Sequence, residues 1–110
     1  MKSIYRLKKN YQYNYVYKHA TSVADKNFVL LYCASGNKRT KVGFSISKKY
    51  GKAVARNRIR RQLKVAVSAV VEQVEVGYNL IFIPRRQGPY LFSEVTSSVG
   101  QLLKKSGLMQ

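Results

Sequence analysis

The residues best placed for chemistry are the run Arg56-Asn57-Arg58-Ile59-Arg60-Arg61, which carries four guanidinium groups within six positions. A guanidinium presents a planar fork of N–H donors that matches phosphate and stacks on flat rings. The whole chain has 21 lysines and arginines against four acids, a net charge of +17. So large an excess of positive charge destabilises the folded protein through self-repulsion, and it is tolerated mainly when a polyanion neutralises it. The run therefore predicts a nucleic-acid contact, and we expect RNA.

A helical wheel places this run on one side of a helix. With Ile59 at zero and about 100° per residue, Leu63, Ala66 and Val70 stay within about 40° of it. The basic residues of the opposite arc are Arg58, Arg60, Arg61 and Lys64, with Arg56 near the boundary at about 60°. Lys48, Lys49 and Lys52 extend this patch at the N-terminal end of the helix. One side is thus predicted to be buried and the other to be cationic.

The cationic side differs from an ordinary solvated face, which mixes charges because opposite charges at i, i+4 stabilise a helix. No acid lies between Asp25 and Glu72. Like charges at this spacing, such as Arg56 and Arg60, destabilise the free helix, and a bound polyanion turns that cost into affinity. Asn57 within the run bonds a base edge or a backbone group, or else is a local cap or an exposed polar residue; both interpretations stay open.

Side chains for protein catalysis are scarce. The acids Asp25, Glu72, Glu75 and Glu94 are scattered, and His19 is the single histidine. Paired carboxylates, a Cys/His zinc site and a Ser-His-Asp triad all need more than this. The single cysteine, Cys33, is expected to be a buried hydrophobe in a reducing compartment, which fits the cytoplasm.

A membrane role is not expected. No stretch approaches the roughly 20 apolar residues of a membrane-spanning helix, and the N-terminus lacks a signal-peptide core. The basic segment also lacks the Trp or Phe face of a membrane-surface helix.

The elements that must position the basic run form one domain over residues 1–110. Residues 1–9 are expected to be basic and extended. We predict a helix from a capping Asn10 to about Ala20, strands at 28–34 and 41–47 joined as an antiparallel hairpin, a helix at 53–71, a strand at 79–83 and a helix at 93–105. This order predicts an α+β sandwich with helices packed on one small sheet.

Tyr13 and Tyr17 share a face of the first predicted helix with Val16. Their rings could line a groove beside Ser45 and Ser47. Basic residues at the strand ends would complete it: Lys48, Lys49, Arg85 and Arg86. Aromatic rings and cations in one groove bind single strands. The alternative is that both tyrosines are core residues, and spacing alone favours the core.

Residues 48–61, with the sequence KKYGKAVARNRIRR, resemble the signature of the bacterial ribonuclease P protein subunit, whose hallmark is an RNR motif after a strand and a basic loop. Residues 7–10, then Tyr13, Val16 and Tyr17, then residues 22–24 and 28–30, are similar to the same family. The resemblance covers nearly the whole chain. It implies an αβββαβα order with a mixed sheet and a left-handed βαβ crossover.

The resemblance also implies a role. Ribonuclease P removes the 5′ leader of precursor tRNA, and in the bacterial enzyme a large RNA carries the catalytic site and its Mg²⁺, while the protein binds that RNA and the leader. The residues implied to face the catalytic RNA are Lys52, Arg56, Asn57, Arg58, Arg60, Arg61 and Lys64. The implied leader cleft is lined by Tyr13, Tyr17, Ser45, Ser47, Lys48, Lys49 and Arg85. The protein would be a monomer, one per RNA.

Two positions depart from the family pattern. Leu31 stands where a tyrosine is common, and its neighbour Tyr32 should face the other way because adjacent strand residues alternate. Lys64 stands where arginine is common, which weakens a bidentate contact. The alternative function is a ribosomal or other structural RNA-binding protein, and an independent protein nuclease is disfavoured by the shortage of acids.

Overall fold

The computed structural model describes residue 2 and residues 5–110. Its helices are α1 (Asn10–His19), α2 (Ala53–Ser68) and α3 (Phe92–Lys105), and its strands are β1 (Thr21–Ala24), β2 (Phe28–Ala34), β3 (Lys41–Phe44) and β4 (Tyr78–Pro84). The strands form one mixed sheet in the order β1-β2-β4-β3. The expected α+β class and the αβββαβα order are confirmed. The predicted extended segment 1–9 falls partly outside the described residues; within it, Arg6 forms an isolated parallel bridge with Val42.

The predicted hairpin of β2 with β3 is wrong, because β4 lies between these two strands. β4 pairs antiparallel with β2 and parallel with β3. Its consecutive residues Leu80, Ile81 and Phe82 are all buried. A strand that is apolar on both faces must be covered on both faces, and a central position in the sheet provides that burial. Helix α2 therefore forms the crossover between parallel neighbours, and β2 takes the short strand β1 as its other antiparallel partner.

The sheet separates two cores of unequal size. On one face, α2 and α3 contribute buried residues such as Ile59, Leu63 and Val99 to the larger core, which includes Phe82. On the other face, α1 alone covers the sheet, and the smaller core consists of Leu7, Val16 and Ile81. Because one short helix cannot cover a four-stranded sheet, the α1 face keeps an open groove beside the helix.

Several element ends differ from the prediction. Asn10 is the first residue of α1, and the cap comes instead from the Gln12 side chain, whose oxygen accepts the backbone N–H of Lys9 at 3.2 Å. Helix α2 ends at Ser68, before a short 3₁₀ turn at 71–73. The ladder of β3 ends at Phe44, although the N–H of Ser45 still donates to the carbonyl of Phe82 at 3.0 Å.

Among the described residues, no helix combines the length and apolar character that crossing a bilayer requires.

Candidate nucleic-acid interface

A groove of about 480 Å³, the tyrosine cleft, lies between α1 and the end of β3. Its lining residues are Asn10, Tyr13, Asn14, Tyr17, Phe44, Ser45, Ile46 and Arg60. The ring centroids of Tyr13 and Tyr17 lie 6.4 Å apart with planes tilted by 44°. The Tyr17 hydroxyl donates to Ser45 Oγ at 3.0 Å and so joins the helix to the strand. The cleft thus offers two adjacent aromatic rings beside one guanidinium group.

The two tyrosines do not have the same surroundings. Tyr17 is 48% exposed, so it is a wall of the cleft and not a core residue. Tyr13 is partly buried, packs against the smaller core and also lines the cleft, so both interpretations of the sequence apply to it. Burial raises the pKa of the Tyr13 phenol above its ordinary value. Because even the ordinary value of 10.0 lies well above physiological pH, the ring is neutral there and presents no negative charge to a phosphate chain.

Gly43 makes room for the Tyr13 ring. A Cβ atom at position 43 would lie 2.4 Å from Tyr13 Oη, closer than real Cβ contacts permit. The absence of a side chain at Gly43 therefore lets a tyrosine lie directly on the strand. The sequence suggested a groove of the α1 tyrosines beside Ser45, but it did not show that Gly43 makes room for the Tyr13 ring.

The groove continues past Ser45 into a second cavity of about 220 Å³, the strand-end pocket. Its lining residues are Ser45, Ser47, Lys49, Tyr50, Ile83, Pro84, Arg85, Arg86 and Gln87. Two hydrogen bonds fix its basic wall: Arg85 Nη1 donates to the carbonyl of Asp25 at 2.7 Å, and Gln87 Nε2 donates to the carbonyl of Lys49 at 2.7 Å. The structure therefore brings most of the predicted cleft residues together, and Lys48 lies exposed on the adjoining turn.

Tyr32 does not replace the aromatic ring absent at Leu31. Leu31 packs against the smaller core on the α1 face, whereas Tyr32 packs against the larger core on the opposite face. The sheet surface that faces α1 therefore carries an aliphatic side chain at this position, as the alternation along β2 predicted.

The cations of α2 point in three directions. Arg60 lines the tyrosine cleft, and its Nη1 donates to Asn57 Oδ1 at 3.1 Å. Arg58 lines a separate cavity on the opposite flank of the helix. Arg61 is exposed between them. The basic run is therefore not one flat surface, and Asn57 has a role that was not foreseen, since it orients the guanidinium group over the cleft.

The remaining predicted cations of the patch are also placed on α2 or at its start. Arg56 is partly buried and its Nη1 donates to the carbonyl of Gly51 at 3.1 Å, which closes the loop before the helix. Lys64 is partly buried one turn after Arg60, and Lys52 is exposed at the N-cap. These placements keep the patch continuous from the basic loop into the third turn of α2.

Sequence reasoning missed five residues that line the cleft: Asn10, Asn14, Phe44, Ile46 and Arg60. Asn10 and Asn14 lie on α1 at i, i+4, and Asn14 precedes Tyr17 by three residues, so helical spacing from the tyrosines could have found both. Arg60 was assigned to the cationic face only, because nothing local showed that α1 lies beside that flank of α2. In the part of the chain that the structure describes, no three His, Cys, Asp or Glu residues gather closely enough to hold a metal ion.

Fold and site together define a small basic α+β protein of the nucleic-acid-binding class. A family model described as Ribonuclease P matches residues 1–107, and the chain belongs to this family, whose members are the protein subunits of an RNA-based endonuclease. It acts with ribonuclease P RNA in tRNA processing. The structural or ribosomal alternative is not favoured.

Curated relatives and solved structures agree with this assignment. The ribonuclease P protein component of Alkaliphilus oremlandii is 37% identical over 110 residues, covering 99% of this chain and 96% of the relative. That of Clostridium kluyveri is 39% identical over 109 residues, with 96% of each covered. The structure of the Staphylococcus aureus RNase P protein superposes with a TM-score of 0.87 at 29% identity, covering 96% of this chain and 98% of that one.

Proposed function

We propose that this subunit binds the 5′ leader of precursor tRNA along the tyrosine cleft and the strand-end pocket. The observation that carries the proposal is the arrangement of Tyr13 and Tyr17 beside Ser45, with Arg60 at the same cavity. Single-strand sites combine rings on which bases stack with cations that follow the backbone. A leader is single-stranded, and the groove is lined by both kinds of side chain.

We further propose that α2 docks on ribonuclease P RNA. Its exposed side carries Arg58 and Arg61, with Lys52 at its start, and no acid belongs to this helix. Each phosphate contact releases counterions, so a dense cationic helix gains affinity from a folded RNA. The helix is anchored by Ile59 and Leu63 in the larger core, so the cations are presented from a rigid support.

The chemistry is assigned to the RNA in this proposal, with Mg²⁺ held mainly by the RNA. The two acids beside the strand ends already have partners in the protein. Glu94 pairs with Arg86 at 3.0 Å, and Asp25 Oδ1 accepts the backbone N–H groups of Asn27 and Phe28 at 2.8 Å. The protein's own residues would hold the leader and the RNA, as one protein monomer per RNA, in the cytoplasm where tRNA is processed.

The experiment that tests the function combines this protein with a bacterial ribonuclease P RNA and a precursor tRNA at low magnesium. Leader removal is measured with and without the protein. We expect faster removal with the protein, because its cations reduce the repulsion between two RNA chains. No gain over RNA alone would contradict the proposal.

The leader assignment has its own test. Replacing Tyr13 and Tyr17 by Ala should weaken holoenzyme binding of precursor tRNA by about tenfold or more, the order expected for lost base stacking, and leave mature tRNA binding nearly unchanged. The matched control is Tyr11→Ala with Tyr15→Ala, because these rings are 70% and 52% exposed on the same helix and line neither cavity described above. Equal losses for precursor and mature tRNA would mean that the cleft tyrosines serve packing only.

A further inference from the structure

A cavity of about 430 Å³, the loop cavity, lies on the flank of α2 that faces away from the tyrosine cleft. One wall is a stripe of α2 formed by Ala55, Arg58 and Gln62, which follow helical spacing. The other wall comes from the segment of residues 87–90 and from Tyr50. The cavity shares Tyr50 and Gln87 with the strand-end pocket, and Lys52 and Arg58 with the cationic side of α2.

Hydrogen bonds across the cavity hold its walls in place. Gln62 Nε2 donates to the carbonyl of Tyr90 at 3.2 Å and so ties the helix to the loop. Tyr90 is buried, and its Oη lies 2.9 Å from the carbonyl of Asn27. A Cβ atom at Gly88 would lie 2.5 Å from Tyr50 Oη, so the glycine admits the phenol as part of the wall. The cavity is therefore shaped before any ligand enters, as small-molecule sites usually are.

The lining combines an apolar interior with a cationic rim. Val54 is 79% exposed at the edge of the cavity and adds apolar surface to its mouth. Pro89 and the Tyr50 ring supply further apolar surface. Lys52 and Arg58 are exposed at the same cavity, and no acid is among its lining residues. An apolar slot with cations beside it matches a flat ring that is joined to phosphates.

We propose that the loop cavity receives one unstacked nucleobase of ribonuclease P RNA, with Lys52 and Arg58 on the phosphates that flank it. Proteins that recognise RNA sequence-specifically take splayed bases into pockets lined by aromatic and apolar side chains. A cavity of about 430 Å³ suits a single nucleoside and excludes a duplex. This inference rests on the proposed docking of α2 on that RNA. It gives the docking surface a point of base recognition in addition to its phosphate contacts.

The test fills the cavity without changing its charge. Ala55→Leu adds three carbons to an exposed helix position that lines the cavity, and Ala69→Leu adds them to an exposed position at the end of the same helix. We expect Ala55→Leu to bind ribonuclease P RNA about tenfold more weakly, with the same salt dependence, and Ala69→Leu to bind normally. Chemical probing of the RNA should show one unpaired base that the wild type protects and Ala55→Leu leaves reactive.

The outcomes separate this inference from the docking proposal. Equal affinity and equal protection for the two variants would overturn the base pocket, while a salt-dependent loss on removing Arg60 and Arg61 would still support docking. If neither Ala55→Leu nor the removal of Arg60 and Arg61 weakened RNA binding, both the base pocket and the docking of α2 would be overturned. A change of oligomeric state in Ala55→Leu alone would assign the cavity to a second copy of the chain and overturn the inference. If Ala55→Leu lowers the melting temperature, Val54→Ser, which removes exposed apolar surface without adding volume, supplies the same comparison.

Discussion

The cationic side of α2 and the tyrosine cleft are two surfaces of one molecule built in different ways. The helix takes its cations from a single segment of 16 residues. The cleft takes its lining from α1, from the end of β3 and from Arg60 of α2. One surface is a local pattern repeated along a helix, and the other exists only after the sheet has formed. The difference explains why one could be located from the sequence in detail and the other only in outline.

The two surfaces also meet at one residue. Arg60 belongs to the basic run but lines the cleft, held by Asn57. Arg61, next in sequence, is exposed on the outer side of the helix. A substitution at Arg60 can therefore affect both surfaces, whereas a substitution at Arg61 affects the docking surface alone.

The largest effect is expected from removing Arg60 and Arg61 together by substitution with Ala. Affinity for ribonuclease P RNA should fall by roughly a hundredfold or more at low salt, because hydrogen bonds to charged groups contribute about 1.5–3 kcal/mol each and two charged groups are removed. The slope of log affinity against log salt should become less steep by about one to two. Titration of the RNA at several salt concentrations measures both quantities.

The control for this experiment is Lys38→Ala with Arg39→Ala. These two cations are exposed in the loop before β3, so the net charge changes equally without touching α2. An unchanged salt slope in the α2 variant would place the RNA contact elsewhere. The single variants sharpen the comparison: Arg60→Ala should also weaken leader binding, whereas Arg61→Ala should affect docking alone.

The sequence predicted most of what depends on local pattern. The predicted α2 stripe is confirmed at Ile59, Leu63 and Ala66, which are buried, while Val70 is only partly buried against the same core. The helix predicted at 93–105 is confirmed as α3. Strand pairing was predicted wrongly for β2 and β3, because the number of residues between two strands does not show that a later strand will insert between them. The unbroken apolar run of β4 indicates a strand that is buried on both faces. It does not show which strands will be the neighbours of β4 in the sheet.

The candidate site shows the same limit. Tyr13 and Tyr17 were identified as a pair, and spacing alone favoured the core for both. That preference is wrong for Tyr17, which is exposed, because the outcome depends on how much of the sheet α1 covers. The opposite orientations of Leu31 and Tyr32 followed from strand alternation and are confirmed. The contact of Arg60 with the cleft required the relative position of two helices that are separated by three strands in sequence.

A smaller effect, confined to the cleft, is expected from Gly43→Ala. The new methyl group would collide with the Tyr13 ring, so the ring must move, at a cost of about 1–3 kcal/mol in unfolding free energy. Leader binding should weaken while the affinity of α2 for RNA stays the same. Denaturant unfolding and binding of precursor against mature tRNA measure the two effects.

A second substitution shows whether the collision is the cause. In a Tyr13→Ala background the space beside β3 is open, so Gly43→Ala should then cost little further stability. A double-mutant cycle measures this coupling between residues in contact. Independent, additive losses would mean that the glycine matters for the strand itself and not for the tyrosine.

The smallest effect concerns pH and again distinguishes the cleft from its surroundings. Burial raises the pKa of Tyr13 above its ordinary value of 10.0, so at alkaline pH the unfolded chain loses the proton before the folded one does. The stability from this group is fully present below pH 10 and declines as pH rises through the folded pKa. Tyr13→Phe should therefore lose less unfolding free energy between pH 9 and about pH 11 than the wild type does. Burial raises the pKa values of Tyr50 and Tyr90 as well, so part of the dependence of stability on pH remains in this variant. Tyr11→Phe, on the exposed face of α1, is the matched control, and identical pH curves for the two variants would show that Tyr13 is not buried enough to resist ionisation.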